Sequence, residues 1–252
     1  MSPPITKLTW PTPSVTDQSV SALSVRDELF DGRSCNLKPE ASSPKSPLDE
    51  ATVRRLLPPA PRLSVDALIE IILDESASVR GDNDVVGLRH ELLHIALTHL
   101  VTRKSTGRWH VQISTFDIAS TLDLPRTRLD KVGLALARRA LCSPSAGSCS
   151  ILGASLQRAE LRLAQFAGPT LLVVLSDFEL FDPDPDDSLS NLTNTSATEA
   201  VAVSLNSNSP AALIGSEVRT VRVRSGDEPS SLARVIVEAS QRCATRALGG
   251  LR

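Results

Sequence analysis

From residue 63 onward, short apolar runs alternate with longer stretches of helical periodicity, and this alternation restricts the possible folds more than any other feature of the chain. Residues 67–73 and 170–175 are rich in Ile, Leu and Val and too short for ordinary helices, as expected of strands covered on both faces. Further strands are predicted over 109–116, 200–205 and 218–223, with a short edge strand at 120–122. Helices are predicted over 83–103, 129–141, 152–166 and 230–248. Gly168-Pro169 breaks the chain before the run at 170–175, which reads as the central strand. The acidic, proline-containing stretch 182–198 reads as a loop with at most a short helix. Strands that alternate with helices build an α/β domain: a doubly wound, mostly parallel, Rossmann-like sheet with helices on both faces.

Residues 1–61 have a different composition. Ten of the seventeen prolines fall there, mixed with Ser, Thr and Asp. Such a stretch buries too little apolar surface to offset its chain entropy, so residues 1–61 are expected to form a disordered arm or tether. Val25, Leu29 and Phe30 form one apolar island within it, and residues 49–57 suit a short helix that Pro58 and Pro59 would stop. The α/β domain is assigned to residues 63–250.

Composition removes several classes of function. A formal charge of −2 gives no electrostatic case for nucleic acid or an anionic membrane. The N-terminus has no basic-then-apolar leader, and no segment reaches the ~20 apolar residues of a membrane helix, so a cytoplasmic location is expected. Cys35, Cys142, Cys149 and Cys243 lack metal-binding spacing, which favours reduced thiols.

The chemistry-bearing residues fall at strand ends. Asp74-Glu75-Ser76-Ala77-Ser78 reads D-x-S-x-S and follows the strand at 67–73. In a doubly wound sheet, ligands bind beyond the carboxyl ends of the strands, where the winding direction reverses. If the strand at 170–175 lies beside the first, Asp177 opens at that same edge. The loop Gly147-Ser148-Cys149-Ser150, before the helix near Leu152, would bring a further hydroxyl. Carboxylates and hydroxyls are the hard oxygen donors that suit Mg²⁺.

With these motifs in place the chain resembles the von Willebrand factor A (VWA) domain family. The resemblance rests on D-E-S-A-S (74–78), S-I-L-G-A-S-L (150–156) and L-S-D-F (175–178), in that order with strands between them. It implies a metal-ion-dependent adhesion site (MIDAS) in which Asp74, Ser76, Ser78, Ser150 and Asp177 hold one divalent cation, Mg²⁺ with Mn²⁺ or Ca²⁺ as substitutes. It also implies a non-enzymatic role, with an acidic side chain of a partner protein completing the coordination. Small bacterial proteins of the family point to a MoxR-type ATPase or an effector protein as that partner. Two positions depart from the family pattern: Ser150 stands where Thr is usual, and Phe178-Glu179 follow the second Asp where Gly is common.

Two other readings compete. One is a structural subunit that uses the same fold without metal. The other is a zinc peptidase, because His90-Glu91-Leu92-Leu93-His94 is a literal H-E-x-x-H. On a helical wheel these three polar residues lie away from Leu88, Leu92 and Ala96, so they are expected to face solvent. The longer zincin pattern fails, with Leu97 in the glycine position and His99 one residue short of a third ligand. The run 182–187 lacks the turning Gly and spacing of a calcium loop and reads as a solvated acidic loop. Arg219, Arg222 and Arg224 alternate with Val as on an exposed edge strand.

Overall fold

The computed structural model describes residues 48–79, 85–101, 107–116, 121–141 and 150–249. A six-stranded sheet forms the centre, in the order β3-β2-β1-β4-β5-β6. Its strands are β1 (Ala67–Asp74), β2 (Trp109–Phe116), β3 (Thr121–Arg128), β4 (Thr170–Ser176), β5 (Glu199–Leu205) and β6 (Arg219–Val223). All neighbouring pairs are parallel except β2–β3. The expected doubly wound α/β architecture is therefore present. Chain order proceeds outward from β1 to β2 and β3, then returns to its other side through β4, β5 and β6. The reversal falls between β1 and β4.

Side-chain alternation along the strands feeds two cores. Ala67, Ile69, Ile71 and Leu73 of β1 join Val111, Val173 and Val203 on one face. This face is covered by α1 (Glu50–Leu56), α2 (Arg89–Val101), α3 (Lys131–Leu141) and α6 (Ser230–Gly249). Leu68 and Ile72 face the other way, with Leu172, Val174 and Ala202, beneath α4 (Gly153–Ala164) and α5 (Pro185–Thr193). Glu70 and Asp74 share that second face by the period of two.

Several boundaries differ from those the sequence suggests. Helix α2 begins at Arg89 after a turn over 85–88, and residues 83, 84, 102 and 103, assigned to its ends, lie outside the described residues. The edge strand expected at 120–122 extends to Arg128 and pairs antiparallel with β2. It tolerates Pro125 because an edge strand need not donate every N–H. Helix α3 starts two residues late, because Asp130 caps it: its Oδ1 accepts from Val132 N and Gly133 N, both at 3.0 Å. The stretch expected as a loop with at most a short helix contains α5, nine residues long, with Asp184 as N-cap and Pro185 opening the first turn.

The packed region also begins before residue 63. Helix α1 is capped by Asp49, and Val53, Leu57 and Ala60 are buried in the first core. The prolines that made residues 48–61 look like part of an arm terminate this helix. The island around Val25 to Phe30 lies outside the described residues, as do Cys35, Cys142 and Cys149. Cys243 is a free buried thiol whose pKa burial pushes up to about 12. Among the described residues no helix is long and apolar enough to cross a membrane.

Candidate functional site

The reversal between β1 and β4 places three loops at one edge of the sheet. Asp74 is the last residue of β1, and its side chain is fully buried at 0 % exposure. The chain then makes a 3-10 turn over Ala77–Val79, which folds Ser76 and Ser78 back toward the strand end. Ser76 N donates to Asp74 Oδ1 at 2.9 Å, and the Ser76 and Ser78 hydroxyls lie 3.0 Å apart. Ser150, also buried, reaches across from the loop before α4 and donates to Asp74 Oδ1 and Oδ2 at 3.2 and 3.0 Å. Asp177 follows β4 directly, is nearly buried, and lies close enough for its charge to raise the Asp74 pKa. The five residues singled out in the sequence are thus neighbours, brought from positions a hundred residues apart.

A sixth residue, Ser176 of the L-S-D-F segment, joins them. Ser176, at the end of β4, donates its hydroxyl to Asp74 Oδ2 at 2.6 Å and accepts from Phe178 N at 2.8 Å. The register pairs Leu73 with Leu175, so Ser176 and Asp74 are adjacent strand ends. Its position immediately before the second Asp, at the end of an apolar run, was the signal available.

Asp182 is the residue that sequence reasoning misjudged. It is buried, and its two carboxylate oxygens accept from Leu152 N (2.8 Å) and Gly153 N (2.7 Å), the first turn of α4. That is an N-terminal cap supplied from thirty residues away, stabilised further by the positive end of the helix. Phe181 N donates to Ser150 O at 2.7 Å beside it. The loop after β4 is thereby fastened to the loop that carries Ser150. The acidic run is solvated over 183–187, as expected, but it is more than a loop: Asp182 is buried and caps α4, and Asp184 caps α5.

The departure at Phe178 has a structural counterpart. Its φ is +59°, in the left-handed region that favours glycine. A bulky residue there costs about 1–2 kcal/mol, which packing of the ring against the second core offsets. Asp177 Oδ1 accepts from Glu179 N at 3.0 Å, holding this turn in shape.

Burial is the largest influence on Asp74 and raises its pKa, Ser176 and Ser76 hydrogen bonds lower it, and the Asp177 charge raises it again. Among the described residues neither Asp74 nor Asp177 has a Lys, Arg or His partner. Two carboxylates and three to four hydroxyls, with no basic group to neutralise them, form a donor set of the kind Mg²⁺ accepts. The ligands present fit the ion.

Glu75, the second residue of the motif, turns away from this set. It pairs with Arg89 Nη2 at 3.0 Å and His90 Nε2 at 2.5 Å. His90 therefore does not face solvent as expected. His94 is also half-buried, and burial, then the Arg138 charge, lowers its pKa. Glu91 is exposed as expected, and the two histidines are half-buried because α2 is covered by α1, α3 and α6 as well as the sheet, so it has a narrow wet side. Among the described residues no group of three or more His, Cys, Asp or Glu side chains is placed to hold a metal, so His90 and His94 lack a third ligand of that type. Arg219 ion-pairs with Glu238 on the exposed edge, as an ordinary outer strand would.

No protein-family model matches the sequence, and no curated protein is similar to it. Solved structures do share its fold. A von Willebrand factor type A protein from Catenulispora acidiphila superposes with a TM-score of 0.53 at 15% identity, covering 71% of this chain and 43% of that one. Proximal thread matrix protein 1 from the mussel byssus gives 0.55 at 16% identity, covering 72% and 47%. BatB from Bacteroides thetaiotaomicron gives 0.51 at 14% identity, covering 71% of this chain and 99% of that one. This chain spans less than half the length of the first two. At these identities the likeness establishes the fold, which is of VWA type.

Proposed function

We propose that this chain is a metal-ion-dependent protein–protein interaction module, in which one Mg²⁺ held by Asp74, Ser76, Ser78, Ser150 and Asp177 receives an acidic side chain from a partner protein. One observation carries the reading. The other buried acids of the sheet are matched by arginine: Glu70 by Arg162, Glu75 by Arg89, and Glu199 by Arg242 and Arg246. Among the described residues, Asp74 and Asp177 are buried close to one another with hydroxyls and backbone N–H groups as their polar partners. Two anions in a poorly solvated place repel each other unless a cation joins them. Bound there, the ion would supply positive charge and an open coordination position. The chain's part is to fix the carboxylates, orient the hydroxyls and exclude competing water.

The role is read as binding without catalysis, as the resemblance implies. A MoxR-type ATPase or an effector protein is the partner class that the resemblance implies. Calorimetric titration of the full chain with Mg²⁺ tests the proposal. One site is expected, lost in Asp74→Ala with the fold retained by circular dichroism. A folded wild type that binds no Mg²⁺ or Mn²⁺ would leave a metal-free structural subunit. Stoichiometric zinc released only by His90→Ala would favour a peptidase.

A further inference from the structure

The loop after β4 carries a feature that cation binding does not use. Phe181 is 68% exposed and is the one aromatic among the large hydrophobic side chains exposed in the described residues. The whole chain has seven aromatic residues, five Phe and two Trp, so leaving one in water is a costly use of a scarce core-forming type. The exposure does not come from a loose loop. Phe181 N is bonded to Ser150 O, Asp182 next to it is buried with both oxygens on the first turn of α4, and Phe178 N is held by Ser176. The ring is therefore presented outward from a fastened backbone, one hydrogen bond from a residue of the candidate cation site. Little ordering entropy is lost when such a side chain docks, which is what makes rigid aromatic side chains effective interface anchors.

The surroundings give the partner's chemistry. Pro183, Asp184, Pro185, Asp186 and Asp187 continue from Phe181 and are exposed, so the ring stands next to a negative rim. Glu179, on the other side, lines an open cleft of about 480 Å³ together with Arg222 and Arg224, so that side is not uniformly negative. A complementary surface therefore offers an apolar recess with Lys or Arg toward the 184–187 side. A negatively charged lipid surface would be repelled by the same rim.

We propose that Phe181 is the apolar anchor of the partner-binding face, and that the partner is a protein presenting a pocket rimmed by basic side chains beside the carboxylate that reaches the cation. The partner's carboxylate rests on the cation reading above; the pocket for Phe181 does not.

The test replaces Phe181 in the full chain by a photo-crosslinking phenylalanine derivative, in cells of the source organism, with Leu161 on α4 as an equally exposed control position. The protein captured at 181 and not at 161 is then purified and titrated. Phe181→Ala is expected to weaken its binding about tenfold or more while Mg²⁺ affinity and Tm stay unchanged. Reversing a Lys or Arg beside the crosslinked site on the partner should also weaken binding. If the Phe181→Ala loss is seen but EDTA and Asp74→Ala change nothing, the anchor stands and the cation reading falls. The anchor is overturned if the captured protein binds Phe181→Ala as well as wild type, if positions 181 and 161 capture the same proteins, or if only lipid adducts form at 181.

Discussion

Glu70 and Asp74 lie four residues apart on β1, point to the same face of the sheet and are both 0% exposed. Burial raises the pKa of each. Their neighbours differ. Glu70 has the Arg162 guanidinium from α4, and Ser114 of β2 donates to it at 3.3 Å while accepting from Arg162 Nη2 at 3.0 Å. Asp74 has three hydroxyl or amide donors and a second carboxylate. One is a closed ion pair inside the fold. The other is an anion with hydrogen bonds and no Lys, Arg or His partner among the described residues. The contrast teaches that burying a carboxylate does not by itself mark a site. What distinguishes Asp74 is that no arginine among the described residues faces it, whereas α4 supplies one to Glu70 on the same face of the same strand.

The largest expected effect breaks the closed pair. Arg162→Leu leaves Glu70 buried without a counter-charge and should cost about 3 kcal/mol in urea unfolding at neutral pH. Asp74→Asn, by contrast, should leave stability in EDTA unchanged or slightly higher, since it removes repulsion from Asp177. A large loss there would mean that Asp74 is structural and the contrast is false. Adding Mg²⁺ comes next. At a concentration one hundred times its Kd the ion should stabilise the wild type by about 2.7 kcal/mol, and Asp74→Asn not at all. Equal stabilisation of both would locate the ion elsewhere.

A smaller effect is expected at Asp182, which joins the two loops of the site. Asp182→Ala should cost about 1–2 kcal/mol through the lost cap of α4. It should also weaken Mg²⁺ by about tenfold, as loss of groups that orient metal ligands generally does. Asp184→Ala, which uncaps α5 without touching the Ser150 loop, should cost stability alone. Calorimetry on the pair separates these outcomes.

The smallest effect concerns pH. Glu70's native pKa lies above its ordinary 4.5, with burial outweighing the pairing to Arg162. The native state therefore holds this proton more tightly than the unfolded chain. The associated stability is fully present below about pH 4.5 and is lost as pH rises through the raised native value. Glu70→Gln should flatten that part of the stability profile. His94 has the opposite sign: its native pKa lies below 6.5, so stability falls as pH drops below 6.5 through the lower native value. His94→Gln should remove this decline, measured by urea unfolding between pH 7 and pH 5.

Much of the fold was legible because it depends on local periodicity. The apolar runs at 67–73 and 170–175, the glycine-proline break before the second, and the helical spacing of 230–248 each follow from which residues water rejects. The three motifs were legible as types and order, and the strand order brings their loops to one edge of the sheet. Asp182 was not, because a cap supplied from thirty residues away has no signature in either segment. Nor was His90, since one helix wheel contains no information about how many elements surround it. Helix α1 was half legible: its cap and its proline stop are local, whereas the burial of Val53 and Leu57 depends on α2 and α6.

The sequence alone determined which segments become strands and helices and which oxygen-bearing residues end up in loops, because backbone propensity and side-chain polarity act over a few neighbouring residues. Tertiary structure alone decided that Arg162 reaches Glu70 and that no basic side chain among the described residues reaches Asp74 or Asp177. It also decided that Phe181 is held outward while Asp182 beside it is buried. Counter-charge and exposure are properties of what lies across space, and only the packed sheet and its helices specify that.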